Sequence, residues 1–507
     1  MQTTNEKIGG LIAQIRQDRN LTQAEFARQL STSQSAVNRI EHGKQNLSLE
    51  TLGRISDVLN KQLISLSGGA VNLRIEGGHE LKGDITLKTS KNAAVGLLCA
   101  SLLNYGVTRF EHFPRIEEVF RIIEVLESIG VQVKWYNGNN IEIRRPEKLN
   151  LEHLDAEAAR KTRSVLMMIG PLMHDFDAFK IPYAGGCKLG ERTVEPHLFA
   201  LESFGIDIVA TKGHYNVSVS KKPAGRLTLY ESGDTVTENA LFAAARTPEE
   251  TTIEFASANY SVQDVCFFLQ KLGVEIKGVG NTKLRVKGVP FIKKNITYSP
   301  AEDPIEAMFF TAAAITTNSS ITIHRVPIEF MSLELLKLKK MGLKFDMTER
   351  YKALNGQTDL VDVTIHKHNG ELRALTDKIH PNVFPAGINA DNLPYFVPIC
   401  AVAKGRTLIH DWMYENRAIY YTEMTKVGAQ VELADPHRLY ILGPTKFSKA
   451  DVVCPPALRP ASLLLIGMLA ADGISTLRNI YTINRGYEDL AQRLNSLGAN
   501  ITVLHEM

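Results

Sequence analysis

From Val71 onward the apolar positions repeat one phrase six times: a run of helical period, a hydrophobic residue, a glycine, then a short alternating strand. The junctions are Ile129-Gly130-Val131, Phe204-Gly205-Ile206, Leu272-Gly273-Val274, Met341-Gly342-Leu343, Val427-Gly428-Ala429 and Leu497-Gly498-Ala499. Successive glycines lie 75, 68, 69, 86 and 70 residues apart. A glycine closing an amphipathic helix predicts a left-handed cap, with the strand leaving directly from it. A period near 70 is too long for a solenoid, so the pattern predicts six α/β units gathered into compact lobes.

The first 66 residues follow another pattern, short helices with little strand character. Thr22-Gln23-Ala24-Glu25 reads as a capping box opening a helix through Leu30. Ser31-Thr32-Ser33 offers caps for a second helix from Gln34 to His42, closed by Gly43. Ala27, Val37, Ile40 and Leu52 are its candidate core. This order of elements resembles the Cro/repressor-type helix-turn-helix, a small all-α DNA-binding domain. The resemblance implies that the second helix enters the major groove, with Gln34, Ser35, Asn38 and Arg39 contacting DNA. Residues 1–66 hold eight Lys/Arg against six Asp/Glu, a weak excess for one copy, and such modules bind as pairs, so a homodimer is implied. Residues 67–72, in the Ser65-Leu-Ser-Gly-Gly-Ala70 region, read as a linker.

Composition narrows the class. The 507 residues are 44% hydrophobic and 22% charged with net charge +3, which excludes a disordered or fibrous chain and argues against one coated in nucleic acid, with room for a small basic face on one domain. Cys99, Cys187, Cys266, Cys400 and Cys454 lie far apart without metal-type spacing, which disfavours a disulfide scaffold and a structural zinc site. Met1 to Lys7 lacks the apolar core of a signal peptide, and stretches such as Ala461 to Ala471 are too short to span a bilayer. A cytoplasmic protein with no membrane association is expected.

The chemistry concentrates first in Ala184-Gly-Gly-Cys187-Lys-Leu-Gly-Glu-Arg192. Gly185, Gly186 and Gly190 permit tight turns and close approach, while Lys188 and Arg192 put positive charge near the thiol. That suits a reactive cysteine facing an anion; the alternative is a small buried hydrophobe. Further motifs follow in order: Ser90-Lys91-Asn92, Lys161-Thr-Arg163, Glu415-Asn-Arg417, Leu458-Arg459 and Asn484-Arg485-Gly-Tyr-Glu488. Together, residues 71–507 resemble the enolpyruvyl transferases, and the cysteine marks the branch that opens peptidoglycan synthesis.

The resemblance implies an α/β (α+β) fold of two lobes, three units each, with the active site between them. One lobe is expected over 91–300 and the other over 73–90 and 301–507. It implies transfer of the enolpyruvyl group of phosphoenolpyruvate to the 3-hydroxyl of UDP-N-acetylglucosamine, with no metal and no organic cofactor. Lys91, Arg192 and Arg485 would hold phosphoenolpyruvate, Arg459 would meet its phosphate, and Arg163 the sugar nucleotide, with Asn92 and Arg417 as further binding residues. Cys187 would be the acid and Asp391 the base, with Lys91 also catalytic. Fixed cations suit this task because guanidinium groups grip oxyanions in bidentate fashion.

Three departures qualify the acceptor. Four extra residues separate Phe384-Pro385 from Asp391, which would displace the base or reshape the pocket. Ala457 stands where the family carries an acid. Ser232-Gly-Asp-Thr-Val-Thr237 replaces the family's nucleotide loop, and Asp234 is unfavourable near a diphosphate. Three readings stay open: the active transferase fused to a DNA-binding module, a regulator whose transferase-like body senses a ligand, and a transferase with another acceptor.

Overall fold

A computed structural model of the chain describes residues 8–10, 12–13, 16–17, 21–30, 32–45, 51, 55, 58, 71–183 and 194–505. The chain divides into two compact units, one of residues 1–70 with 134–138 and 505–507, the other of 71–133 and 139–504.

In the smaller unit, helix Gln23–Gln29 opens on the expected capping box, since Thr22 Oγ1 accepts from Glu25 N at 3.2 Å and Glu25 Oε2 accepts from Thr22 N at 2.8 Å. Helix Gln34–Glu41 is capped by Ser33, whose Oγ accepts from Ala36 N at 3.2 Å, and Gly43 follows with φ +66°. Ile12, Phe26, Ala27, Leu30, Val37, Ile40 and Ile55 form the core, held by apolar burial. Beneath them Arg16 and Glu41 make a buried bidentate pair, which Gln23 extends at 2.7 Å. The expected core residue Leu52 and cap Ser31 lie outside the described residues. Linker positions up to Ala70 also lie outside them, while Val71 and Asn72 open strand Val71–Gly77 and so belong to a sheet.

In the larger unit all six repeat glycines take positive φ, between 78° and 104°, and a strand opens within three residues of each. Only a residue without Cβ adopts this conformation cheaply. The segment before Gly428 differs from expectation: Ala418–Val427 is a 3-10 helix, not an α-helix.

Strands from 107–298 build three sheets, and strands from 71–86 and 320–505 build three more. In the second set, Val71–Gly77 pairs antiparallel with Gly473–Arg478, and Lys82–Thr86 pairs parallel with Ser320–Pro327. The larger unit thus starts and finishes in the same set of sheets. Its two crossings run side by side, with Ser90 N donating to Ala301 O and Asp303 N to Lys88 O. Helices Pro304–Thr316 and Leu458–Ala470 are mostly apolar and buried along nearly their whole length, and they fill the interior of the second set.

Candidate active site

The starts of several buried helices line one cavity of about 780 Å³. Lys91 and Asn92 open helix Lys91–Ser101, Arg163 opens the 3-10 helix Arg163–Met168, Asp234 opens helix Asp234–Ala244, and Arg459 sits in the first turn of helix Leu458–Ala470. Helix N-termini present unpaired N–H groups and positive partial charge, so this arrangement favours anions before any side chain is counted.

The cavity brings together seven residues expected from sequence: Lys91, Asn92, Arg163, Asp391, Arg417, Arg459 and Arg485. Cys187 and Arg192, with the glycines and Lys188 around them, lie outside the described residues. The other four cysteines are buried, and desolvation pushes their thiols up, to about 12 for Cys400 and Cys454.

Asp391 is the centre of the charge pattern. Its Oδ2 accepts from Arg459 Nη2 at 3.3 Å, and Arg417 Nη1 lies 3.6 Å from Oδ1. Burial alone would raise its pKa, but Arg459, Arg417 and Lys91 outweigh that and bring it down to about 2. The turn that carries it is pinned from below: Glu334, itself buried, accepts from Asn392 Nδ2 at 2.9 Å and from Asn389 N at 3.2 Å. Asn389 Oδ1 in turn accepts from Asp391 N at 2.9 Å. The extra residues do not carry the aspartate out of the cavity. They fold back on themselves, with Asn382 N donating to Ile388 O and Ala386 N to Val383 O, while Pro385 and Ala386 face outward.

Arg417 is mostly engaged in structure. It is 1% exposed, donates to both oxygens of Asp411 at 2.6 and 2.9 Å, and stacks 4.1 Å from the Tyr414 ring centroid. Arg459 Nη1 donates to Tyr487 Oη at 3.1 Å. Asn92 Nδ2 donates to Tyr260 Oη at 2.9 Å.

Several cavity groups were not expected from sequence. Glu118 accepts from Arg485 Nη2 at 2.9 Å and from Thr162 Oγ1 at 2.7 Å. Its burial favours the neutral acid, yet Lys91, Arg485 and Thr162 hold it below the ordinary glutamate range. An acid in the first turn of a helix gives no sequence signal beyond a favourable dipole. His197 is 2% exposed, and burial plus the Arg163 charge push it down to about 3, so it stays neutral.

Asp234 accepts from Ser257 Oγ at 2.5 Å and from Asn259 Nδ2 at 2.8 Å, and burial raises its pKa. Glu238 behind it is pushed well above the carboxylate range, first by burial and then by Asp234. Ala457 is the N-cap of helix Leu458–Ala470 with no side-chain cap bond, and Arg459 in the same first turn pairs with the Asp391 carboxylate at 3.3 Å. Among the described residues no group of three or more His, Cys, Asp or Glu is placed to hold a metal ion, and no helix is long and apolar enough to cross a membrane.

The recognition-helix candidates Gln34, Ser35, Asn38 and Arg39 are all exposed on helix Gln34–Glu41, and Arg39 Nη1 donates to Ser35 Oγ at 3.1 Å.

Residues 75–494 match the family model described as EPSP synthase (3-phosphoshikimate 1-carboxyvinyltransferase), and residues 12–66 match the helix-turn-helix model. A UDP-N-acetylglucosamine 1-carboxyvinyltransferase of Gloeobacter violaceus is 30% identical over 429 residues, covering 85% of this chain and 90% of that protein. Its namesake from Campylobacter jejuni is 31% identical over 437 residues, covering 86% and 99%. Among solved structures, the enolpyruvyl transferase NikO from Streptomyces tendae matches with TM-score 0.74 at 21% identity, over 87% of this chain and all of that one. An EPSP synthase from Acinetobacter baumannii matches with TM-score 0.66 at 18% identity, over 85% and 100%. Both likenesses concern the fold. With a charged cavity of this form and matches of this extent, the chain belongs to the enolpyruvyl (1-carboxyvinyl) transferase family and is a transferase carrying an N-terminal helix-turn-helix domain.

Proposed function

We propose that the protein transfers the enolpyruvyl group of phosphoenolpyruvate to the 3-hydroxyl of UDP-N-acetylglucosamine, in the cytoplasm, and that its N-terminal domain binds DNA as a homodimer. The observation that carries the catalytic part is the Asp391 carboxylate held between Arg459 and Arg417 in a cavity that Lys91, Arg163 and Arg485 also line. The two sets of three sheets act as lobes, with residues 91–300 on one side of the cleft and 73–90 and 301–507 on the other.

Phosphoenolpyruvate brings a phosphate and a carboxylate, and Lys91, Arg459 and Arg485, with Arg192, meet them. Cys187 gives a proton to the methylene carbon while the sugar hydroxyl oxygen bonds to the adjacent carbon and Asp391 takes the hydroxyl proton. The Cys187 thiolate then takes back a methyl proton as the carbon–oxygen bond to phosphate breaks, which restores the double bond and releases phosphate. The arginines stabilise charge throughout. Asp391 alone is a poor base, because its cations hold it ionised. Donor oxygens sharing Arg459 and Lys91 raise its proton affinity, so the base sharpens when the donor is bound.

Cys187→Ser tests the acid: the substitution removes turnover and leaves DNA binding intact. A second reading, a transferase using a different hydroxylated acceptor, is favoured by the acidic side chains Glu231 and Asp234 on the cavity wall. A third, a ligand-sensing regulator with little turnover, is favoured by the uncharged Ala457 cap. Product analysis and binding measured together with UDP-N-acetylglucosamine separate all three: adduct supports the first, binding without adduct the third, and neither binding nor adduct the second.

A further inference from the structure

Trp412 is a large aromatic side chain in an unusual place. It lines the cavity, yet 45% of it is exposed. Its indole N–H donates to Pro381 O at 3.0 Å, so the polar edge is satisfied and the ring is fixed in direction. No ring or cation among the described residues covers its face. Beside it, Val383, Phe384, Met413 and Tyr414 continue an apolar wall.

The ring is also in register with the reacting centre. Trp412 follows Asp411, whose carboxylate holds Arg417, and Arg417 Nη1 lies 3.6 Å from Asp391 Oδ1. Pro381, whose carbonyl oxygen accepts the indole N–H bond, begins the segment that ends at Asp391. The same two chain segments therefore carry both the base and the half-exposed indole. Where the base takes a hydroxyl proton, the neighbouring surface meets the ring bearing that hydroxyl. A pyranose offers an apolar C–H face that an indole covers well while its hydroxyls stay free to bond elsewhere.

We propose that Trp412 is an acceptor-binding residue that stacks on the sugar ring of the acceptor, an inference that rests on the transferase reading above. Nothing in the donor calls for such a surface, since phosphoenolpyruvate is small and doubly anionic.

The chain has two tryptophans, so W135F leaves Trp412 as the only indole fluorophore. Saturable change in its emission on titrating UDP-N-acetylglucosamine, with little change on adding UDP alone or phosphoenolpyruvate alone, is the expected result. In the otherwise unaltered chain, W412A raises the acceptor KM about tenfold or more while the donor KM and melting temperature hold, and W412F restores most of the loss. Sugar-dependent phosphate release with unmoved emission overturns the stacking role and leaves the transferase reading standing. Moved emission without phosphate release does the reverse. A response to UDP equal to that of the full sugar nucleotide overturns the sugar-ring assignment, and absence of both emission change and release overturns both claims.

Discussion

Glu118 and Arg485 meet at 2.9 Å inside the cavity, joining the first turn of helix Glu117–Ser128 to a segment nearly 370 residues later in the chain. The same C-terminal segment holds on again through Glu488, which accepts from Arg115 N at 3.0 Å, Asn139 Nδ2 at 2.8 Å and Lys88 Nζ at 3.2 Å. Arg485, which the proposed function assigns to the donor, is thus paired with a carboxylate in the cavity. E118Q releases Arg485 and Lys91 from that competitor. The expected outcome is a lower phosphoenolpyruvate KM with a lower kcat, read from initial rates of phosphate release.

Arg459 carries two duties, the grip on Asp391 and the bond to Tyr487. R459K keeps the charge but loses the planar fork, so kcat/KM falls by about a hundredfold. Steady-state kinetics on R459K and D391N check this, and the two changes combined cost less than the product of their separate effects, because the residues are in contact.

Asp303 gives a pH signature with a definite sign. Burial raises its carboxyl to about 6, against the opposing charge of Arg459. A folded value above the ordinary ~3.9 means that its contribution is fully present below that pH and is lost as pH rises through about 6. Asn keeps the helix cap to Ile305 N, which Asp303 Oδ1 now makes at 2.8 Å. D303N therefore gains stability over wild type on the order of 3 kcal/mol as pH rises from about 4 to 7, measured by denaturant unfolding across that range.

In the small domain, the buried Arg16–Glu41 pair is a point of fragility. E41A leaves a buried guanidinium unpaired and costs about 3 kcal/mol or more. Calorimetry of the full chain shows the domain's transition lowered while phosphate release persists.

On the proposed DNA-binding role of the small domain, Arg39 and Asn38 divide affinity from specificity. R39A weakens binding and lowers the salt slope by about one, while N38A relaxes sequence preference. Anisotropy titrations at several salt concentrations distinguish the two effects, and equal loss in both variants counts against the recognition-helix assignment.

The six glycine caps were legible in sequence because a cap is local: a helix end, a missing Cβ and a departing strand lie within a few residues. Composition and capping likewise gave the small domain's helices to within a residue. The site was legible only through family resemblance. Lys91, Arg163, Asp391, Arg459 and Arg485 are spread over most of the chain, and no periodicity announces that helix starts converge on one cavity. Arg417 was expected as a ligand, yet its donors are largely taken by Asp411, a partner six residues away that looks unremarkable in sequence. Glu118 and Trp412 carried little signal, since an acid in a first turn and a tryptophan in a loop are ordinary until tertiary structure brings them to the cavity wall.

The most direct test of the catalytic account is phosphate release from phosphoenolpyruvate by the purified chain, with and without UDP-N-acetylglucosamine, followed by mass analysis of the sugar product. Release that requires the sugar nucleotide and yields its enolpyruvyl ether is the predicted result. Tight binding of the sugar nucleotide with no release and no adduct would contradict it.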